Sequence, residues 1–403
     1  MDFDPVKLTR RGLARLRPSA SAGGWPLIVL GAMIGGVTGL AAIGFAWTLH
    51  EVEHFVRSSQ TEHRWALVAW PVLGMALTGV LVQLFAAEAK GHGVPQVMKA
   101  LIKKNGVIRW PIGATKTVSS ILTVGTGGSA GTEGPIVQIG ATAGSVAGQT
   151  LRVGREHMPT LVGCGAAAGI ASIFNAPIAG VFFVLEILLR DFSVRAFAPI
   201  VVASVFSTAI TQAVLGENVA IFASPEQLHG YVFQIAELPS YVVLGLICGA
   251  VAVAFNKMLH AGEDFYDELK IHPLLKPITG ALALGLLGIG SVWAISTIAP
   301  GEGTGNAPAF FGNGYETITS LLTPSAYESG SMLVASSLAL LVWLVILKMV
   351  ATTLTLASGG SGGVFAPSLF LGATAGAAFG LVLERLGLMP EGGSPAAYAL
   401  VGM

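Results

Sequence analysis

Five stretches of this chain contain no Asp, Glu, Lys or Arg and are long enough, or nearly long enough, to cross a membrane. They are Trp25–His50, Trp65–Ala87, Ser240–Asn256, Pro277–Pro300 and Ser331–Leu347. In the hydrocarbon core no water satisfies the backbone, so such segments become helices. With the other apolar segments we expect about ten membrane segments, some too short to cross alone. The sequence therefore predicts an all-α, multi-pass integral membrane protein.

The composition supports this class of protein. Only 11% of the residues are charged, against roughly 25% in soluble domains, and the mean hydropathy is +0.72. The 53 glycines suit closely packed or broken membrane helices. Because the formal net charge is zero, no nucleic-acid partner is indicated. Cys164 and Cys248 lie in apolar segments, where we expect buried thiols, and no metal-ligand spacing or cofactor motif is expected.

The N-terminal segment differs in charge from the rest of the chain. Residues 1–24 carry five basic side chains ahead of the first apolar stretch. By the positive-inside rule this segment is predicted to be cytoplasmic. We treat residues 25–403 as one membrane domain.

That domain contains an internal repeat. Gly127–Gly148 and Gly359–Gly380, aligned at a constant offset of 232, share eleven of twenty-two residues. Lys116 and Lys348 also pair at this offset, seventeen residues before Glu133 and Phe365. Repeated, glycine-interrupted apolar segments are the best sequence indication of a transporter's binding site.

Each copy has the pattern expected of a helix that begins inside a membrane. A glycine cluster is followed by Pro135 or Pro367 and then by an apolar run. Proline is favoured in the first helical turn, so we predict helix starts near Glu133 and Phe365. The first N–H groups of a helix lack internal partners and carry a partial positive charge. A small anion satisfies them.

Glu133 is the one ionisable residue within the two copies, and Phe365 is its counterpart. A carboxylate at membrane depth costs on the order of 3 kcal/mol, which makes it a candidate functional residue. At a helix start it can occupy the place of a mobile anion and leave on protonation. The alternative is a cap that only stabilises the helix start.

Several motifs together resemble the CLC family of chloride channels and chloride/proton antiporters. They are GHGVP (91–95), GTEGP (131–135), FNAPIAG (174–180), GNGYE (312–316) and GGVFAPSLFLGA (362–373). The resemblance implies two inverted halves with broken helices whose N-termini meet at mid-membrane, in a homodimer with one anion path per subunit. It further implies a bacterial inner-membrane protein that moves chloride or a related small anion, with proton coupling as an alternative.

The resemblance also assigns roles to residues. Glu133 matches the family's gating glutamate, and the predicted anion-binding residues are His92, Gly93, Thr132, Glu133, Val364, Phe365 and Ala366. His92 stands where chloride-selective members usually have Ser, which leaves the ion preference open; alternatively it is a loop histidine facing water. Lys116 and Lys348 are expected to attract anions by their field, or else to snorkel to the interface with a structural role.

Two departures leave the mechanism open. Ile187, next to Glu186, stands where many exchangers carry a second glutamate, which favours a passive pore. The coordinating tyrosine of the family lies beyond this sequence, and Tyr398 does not match it. The second half ends partway through its repeat, so we expect a truncated chain.

Two other functional classes have weaker support in the sequence. Gly125–Ala130 fits the nucleotide-binding pattern G-x-G-x-x-A, but no predicted strand precedes it, so an enzyme is not expected. A non-transporting membrane scaffold remains an alternative.

Overall fold

A computed structural model describes residues 25–216, 222, 235–298, 307–327, 337–389 and 393–403. Within these residues the chain forms helices and isolated β-bridges, and no β-strand. The helices are α1 (Trp25–Glu62), α2 (Ala66–Phe85), α3 (Val94–Lys104), α4 (Trp110–Gly125), α5 (Glu133–Leu151), α6 (Met158–Phe174), α7 (Pro177–Phe183), α8 (Val194–Leu215), α9 (Leu238–Glu268), α10 (Leu275–Ile298), α11 (Tyr315–Leu321), α12 (Leu338–Ala357), α13 (Phe365–Arg385) and α14 (Pro395–Gly402). The basic segment 1–24 lies outside the described residues.

Seven of these helices are long and apolar enough to cross a membrane. They are α1, α2, α8, α9, α10, α12 and α13, and the segments of α6 and α7 are shorter apolar helices. With 38 residues and a rise of 1.5 Å per residue, α1 is about 57 Å long and exceeds the hydrocarbon thickness. The prediction of an all-α membrane protein is confirmed.

The predicted apolar stretches coincide with described helices. Trp25–His50 lies in α1 and Ser240–Asn256 lies in α9, whereas Trp65–Ala87 and Pro277–Pro300 extend past the ends of α2 and α10; residues 299–300 lie outside the described part. The fifth, Ser331–Leu347, overlaps α12, which begins at Leu338; residues 331–336 lie outside the described part.

The described chain divides into two compact units. The first contains residues 25–48, 82–118 and 133–216, and the second contains residues 49–81, 119–132 and those from 222 onward. The boundary between residues 132 and 133 cuts through the first glycine-rich copy, so the units are not the two sequence halves.

Close backbone approach explains many glycines of the first unit. A Cβ on Gly35 of α1 would lie 2.2 Å from the carbonyl oxygen of Ala203 in α8. A Cβ on Gly140 of α5 would lie 2.1 Å from the carbonyl oxygen of Gly165 in α6. No side chain fits at these crossings, so α5, the helix that begins at Glu133, is held directly against α6.

Helices of the second unit also approach each other closely at a glycine. A Cβ on Gly376 of α13 would lie 2.1 Å from the carbonyl oxygen of Tyr398 in α14. The Tyr398 ring is 1% exposed and its Oη lies 3.1 Å from Ser240 Oγ. Tyr398 therefore packs in the core between α9, α13 and α14.

Candidate functional site

The two glycine-rich turns pair with each other through their backbones. Gly131 and Gly363 exchange two N–H···O hydrogen bonds, each 2.7 Å long, in an antiparallel bridge. These two glycines occupy equivalent positions at the offset of 232. The repeat found in the sequence is therefore a spatial pair, whose members run in opposite directions.

Next to the bridge, side-chain hydroxyls accept a second reciprocal pair of hydrogen bonds between the two turns. The Ser129 amide donates to Thr355 Oγ1 at 3.0 Å, and the equivalent Ser361 amide donates to Thr123 Oγ1 at 3.1 Å. Thr123 and Thr355 are themselves equivalent at the same offset. Such reciprocity indicates a local two-fold relation between the turns, and all of these groups are buried.

Each turn enters through a glycine in the left-handed region. Gly127 has φ of +108° and Gly359 has φ of +120°, a conformation that L-residues with a Cβ rarely adopt. The next amide closes each turn, from Gly128 to the Thr123 carbonyl at 2.8 Å and from Gly360 to its Thr355 equivalent at 2.9 Å. The backbone is thus the same in both copies.

Both predicted helix starts are confirmed. Helix α5 begins at Glu133 and α13 begins at Phe365, with Val364 as its N-cap. The environments differ, because Glu133 is 4% exposed whereas Phe365 is 43% exposed. Ala366, the second residue of α13, is fully buried.

The GHG loop lies against the start of α5 in the first unit. A Cβ on Gly93 would lie 2.3 Å from the carbonyl oxygen of Gly134, the residue after Glu133. The Gly93 amide donates to Gln96 Oε1 at 2.8 Å, which fixes the loop at the start of α3. The structure thereby brings the half-buried His92 and the buried Gly93 to the helix that begins at Glu133.

A buried lysine holds each of two loops. Lys116 Nζ donates to the carbonyls of Ala89, at 3.2 Å, and of Gly91. Lys348 Nζ donates to the carbonyls of Phe310, at 3.1 Å, and of Gly312, at 3.0 Å. Both lysines are 0% exposed, so neither side chain reaches the surface to snorkel, whereas the structural role in the same alternative agrees with these hydrogen bonds. Their effect on anions stays a prediction.

The lysines reveal a second repeat that the sequence prediction missed. The loops GHG (91–93) and GNG (312–314) are related by an offset of 221 rather than 232. Gly93 is the N-cap of α3 with φ of +92°, and Gly314 is the N-cap of α11 with φ of +84°. The signal was the shared G-x-G spacing, hidden by the change of offset.

The remaining predicted residues belong to the second unit. Thr132 Oγ1 lies 3.4 Å from Tyr315 Oη, in the first turn of α11. Val364, Phe365 and Ala366 follow Gly363 directly. Within the described residues no cluster of His, Cys, Asp or Glu could hold a metal ion.

Glu186 and Ile187 lie on a π-helical turn, Val184–Leu189, which continues α7. Both side chains are exposed.

Comparisons with known proteins agree on one family. The family model described as voltage gated chloride channel matches residues 74–403. The chain is 30% identical over 422 residues to the H(+)/Cl(-) exchange transporter ClcA of Salmonella paratyphi A, covering 99% of this chain and 80% of the relative. It is 30% identical to chloride channel protein CLC-f of Arabidopsis thaliana, covering 94% of this chain but only about half (48%) of that relative.

A solved structure gives the same result. The crystal structure of a slow cyanobacterial Cl-/H+ antiporter has a TM-score of 0.75 and 25% sequence identity, covering 94% of this chain and 84% of that one. The family match spans most of the chain and the fold is shared over nearly all of it. This chain belongs to the voltage-gated chloride channel family.

Proposed function

We propose that this protein carries chloride or a related small anion across a membrane and that Glu133 gates the path. The observation that carries the proposal is a nearly fully buried carboxylate on the first residue of a helix in a CLC-family membrane protein. A charge placed there is costly, and such costly residues in membrane segments mark functional sites. The relatives are named as channels or transporters, and none of those compared is named as an enzyme.

The paired turns lead to the two helix starts that are proposed to bind an anion. Gly131 stands two residues before Glu133, and Gly363 stands two residues before Phe365, so the bridged turns lead directly into both helices. Helix N-termini attract anions through their first N–H groups and the helix dipole. On the family resemblance we propose as anion-binding residues Thr132 and Glu133, Val364, Phe365 and Ala366 at the start of α13, and His92 and Gly93 of the GHG loop.

The gate follows from the chemistry of the carboxylate. When ionised, Glu133 competes with a mobile anion for the helix start. When protonated, it loses its charge and leaves that place to the ion. Anion flux therefore rises as the pH falls.

The test is chloride efflux from liposomes that contain the purified protein, measured between pH 4.5 and 7.5. The wild-type protein is expected to lose flux with rising pH, and Glu133→Gln is expected to conduct equally across the range. Phe365→Leu, at the equivalent position, is the matched control and keeps the pH response. If Glu133→Gln keeps the parental pH response, Glu133 is not the gate. If the wild-type protein gives no chloride flux, the transport proposal is wrong.

Proton-coupled exchange is the second candidate. It is favoured by the relatives named as Cl-/H+ exchangers or antiporters, whereas Ile187 favours passive conduction. A chloride gradient that drives protons uphill in the same liposomes identifies an exchanger. A homodimer is proposed on the family resemblance alone and is tested by the mass of the purified particle.

In the proposed orientation the N-terminus lies on the cytoplasmic side of a bacterial inner membrane. Helices α1 and α2 both qualify as spans, so residues 86–109 return to the side of the N-terminus. That connection holds five basic residues and one acidic residue, Glu88. The basic excess supports a cytoplasmic side.

A further inference from the structure

A carboxylate that the proposed gate does not use lies beside the GNG loop in the second unit. Glu53, in the C-terminal third of α1, is half-buried, and its Oε1 lies 3.5 Å from the place that a Cβ on Gly312 would take. Among the described residues Glu53 has no hydrogen-bond or ion-pair partner. A partly buried carboxylate without such a partner is costly, so Glu53 is a candidate for binding a proton.

Glu53 lines a small pocket of about 20 Å³. The walls of the pocket come from two turns of α1, from the end of α4 with the turn that follows it, and from residues 307–312. A space of about 10–15 Å³ is enough for one water molecule. Arg57 also lines the pocket, and its side chain is 41% exposed. Water from the surface therefore reaches Glu53.

A buried amide group lines the same pocket. Gln60 is 5% exposed, yet its Nε2 makes no hydrogen bond to any described residue. A buried N–H donor without an acceptor is costly. One water molecule in the pocket accepts a hydrogen bond from Gln60 Nε2 and donates one to the Glu53 carboxylate, so it satisfies both groups. The pocket therefore suits a water that connects Glu53 with the surface.

The charged groups that act on Glu53 come from three helices. Arg57 follows it by one turn on α1, Glu316 lies on α11 and Lys348 lies on α12. The other walls of the pocket, residues 124–127 and 307–312, contain no ionisable side chain. With Glu53 ionised, the two positive and two negative charges of this group cancel. A proton on Glu53 leaves one positive charge without compensation.

The GNG loop connects this group of charges with the paired turns. The Gly312 carbonyl accepts hydrogen bonds from Lys348 Nζ at 3.0 Å and from the Ala130 amide at 3.3 Å. Ala130 directly precedes Gly131 of the backbone bridge, and the chain then continues to Glu133. A positive charge gained at Glu53 therefore lies beside the backbone that leads into the proposed gate.

We propose that Glu53 is a second proton-binding site of this protein and that a proton bound there strengthens anion binding. The proton passes from hydronium at the surface through the pocket water to a Glu53 oxygen, and the carboxylate becomes a neutral carboxyl group. The positive charge that remains attracts anions. This inference rests on the proposed transport function. It concerns the KM for chloride and leaves the flux of Glu133→Gln at saturating chloride independent of pH.

The first experiment measures the KM for chloride efflux from liposomes at pH 4 and pH 7.5 in a Glu133→Gln background, where the proposed gate no longer titrates. Adding Glu53→Gln is expected to lower the KM about threefold at pH 7.5, the effect of one unit charge at close range in water. At pH 4 it changes nothing, because Glu53 is already protonated. Glu51→Gln is the matched control and leaves both values unchanged, since Glu51 is an exposed glutamate of α1 that does not line the pocket.

The second experiment detects the proton without transport. Infrared difference spectra of the purified wild-type protein, recorded on acidification, are expected to contain a carboxyl band that is missing from Glu53→Gln and present in Glu51→Gln. Gln60→Leu removes the donor that holds the pocket water and is expected to shift the pH midpoint of that band.

The outcomes separate the two proposals. Identical infrared spectra of the wild type and Glu53→Gln overturn the proton site, and an unmoved midpoint in Gln60→Leu overturns the water link. A KM that Glu53→Gln leaves unchanged at pH 7.5, or that Glu51→Gln lowers equally, overturns the effect on anion binding. Wild-type liposomes without chloride flux overturn the transport proposal and leave the infrared result standing.

Discussion

The two glycine-rich copies have the same backbone but different chemistry at the helix start. Gly127 and Gly359 adopt the same left-handed conformation, and Gly131 and Gly363 exchange equal hydrogen bonds. Two residues later the first copy has a buried Glu133 and the second an exposed Phe365. A scaffold of hydrogen bonds was thus kept in both copies, whereas an ionisable group was placed in only one.

This difference shows which features the fold requires. Each Ser amide needs the Thr hydroxyl of the other copy, and each amide of the bridge needs the carbonyl opposite it, so changes there affect both copies together. The residue at the helix start meets no such reciprocal demand and is free to differ. The equivalence of the copies is therefore open to test by matched substitutions.

The largest effect is expected from Gly128→Ala and Gly360→Ala. A Cβ at these positions would lie 2.4 Å from the Thr123 carbonyl oxygen and 2.5 Å from the Thr355 carbonyl oxygen. In both copies the atom in the way belongs to the backbone. The free energy of unfolding of each variant is therefore expected to fall by about 3 kcal/mol, the upper end of the cost of overpacking. Thermal unfolding in detergent measures the loss.

Gly290→Ala is the control, because no atom lies within 4 Å of a Cβ at that position in α10. It is expected to unfold at the parental temperature. If Gly128→Ala and Gly360→Ala differ by more than the error of the measurement, the copies are not structurally equivalent.

The second effect comes from the buried lysines. Lys116→Met and Lys348→Met each leave two loop carbonyls without their donor, and each is expected to cost about 2 kcal/mol of stability. Only the Lys116 loop carries proposed anion ligands, so only Lys116→Met is expected to raise the KM for chloride. Unfolding temperatures and efflux kinetics measure the two effects. If both variants raise the KM for chloride, the assignment of anion ligands to the Lys116 loop alone is wrong.

Residue patterns alone predicted much of this molecule. Uncharged stretches located five of the seven described helices that are long enough to span, and Gly and Pro located the starts of α5 and α13; no predicted stretch corresponded to α8. Burial of Lys116 and Lys348 was not predictable, because a lysine in an apolar stretch equally suits a snorkelling side chain. The second repeat, at an offset of 221 instead of 232, was recognised only in the structure. A short insertion in one half shifts the sequence alignment, while each loop stays hydrogen-bonded to its lysine.

A third effect is expected at the crossed hydroxyls. Thr123→Val and Thr355→Val each remove the acceptor of one Ser amide while keeping the side-chain shape. Each is expected to cost about 1 kcal/mol, because one buried amide loses its partner. Denaturation midpoints of the two variants should agree, and a loss confined to one of them shows that only one hydroxyl supports the pairing.

The smallest effect concerns the middle residue of each G-x-G loop. His92→Ser is expected to change the ratio of nitrate to chloride flux about threefold, because an imidazole beside the ion differs from a hydroxyl in size and in the hydrogen bonds it donates. Asn313→Ser, at the equivalent position of the GNG loop, is expected to leave that ratio unchanged, since no residue of the GNG loop is a proposed anion ligand. Anion-substitution efflux measures both ratios. Equal shifts in the two variants mean that the loops act on the ion alike, and an unchanged ratio in His92→Ser places the imidazole away from it.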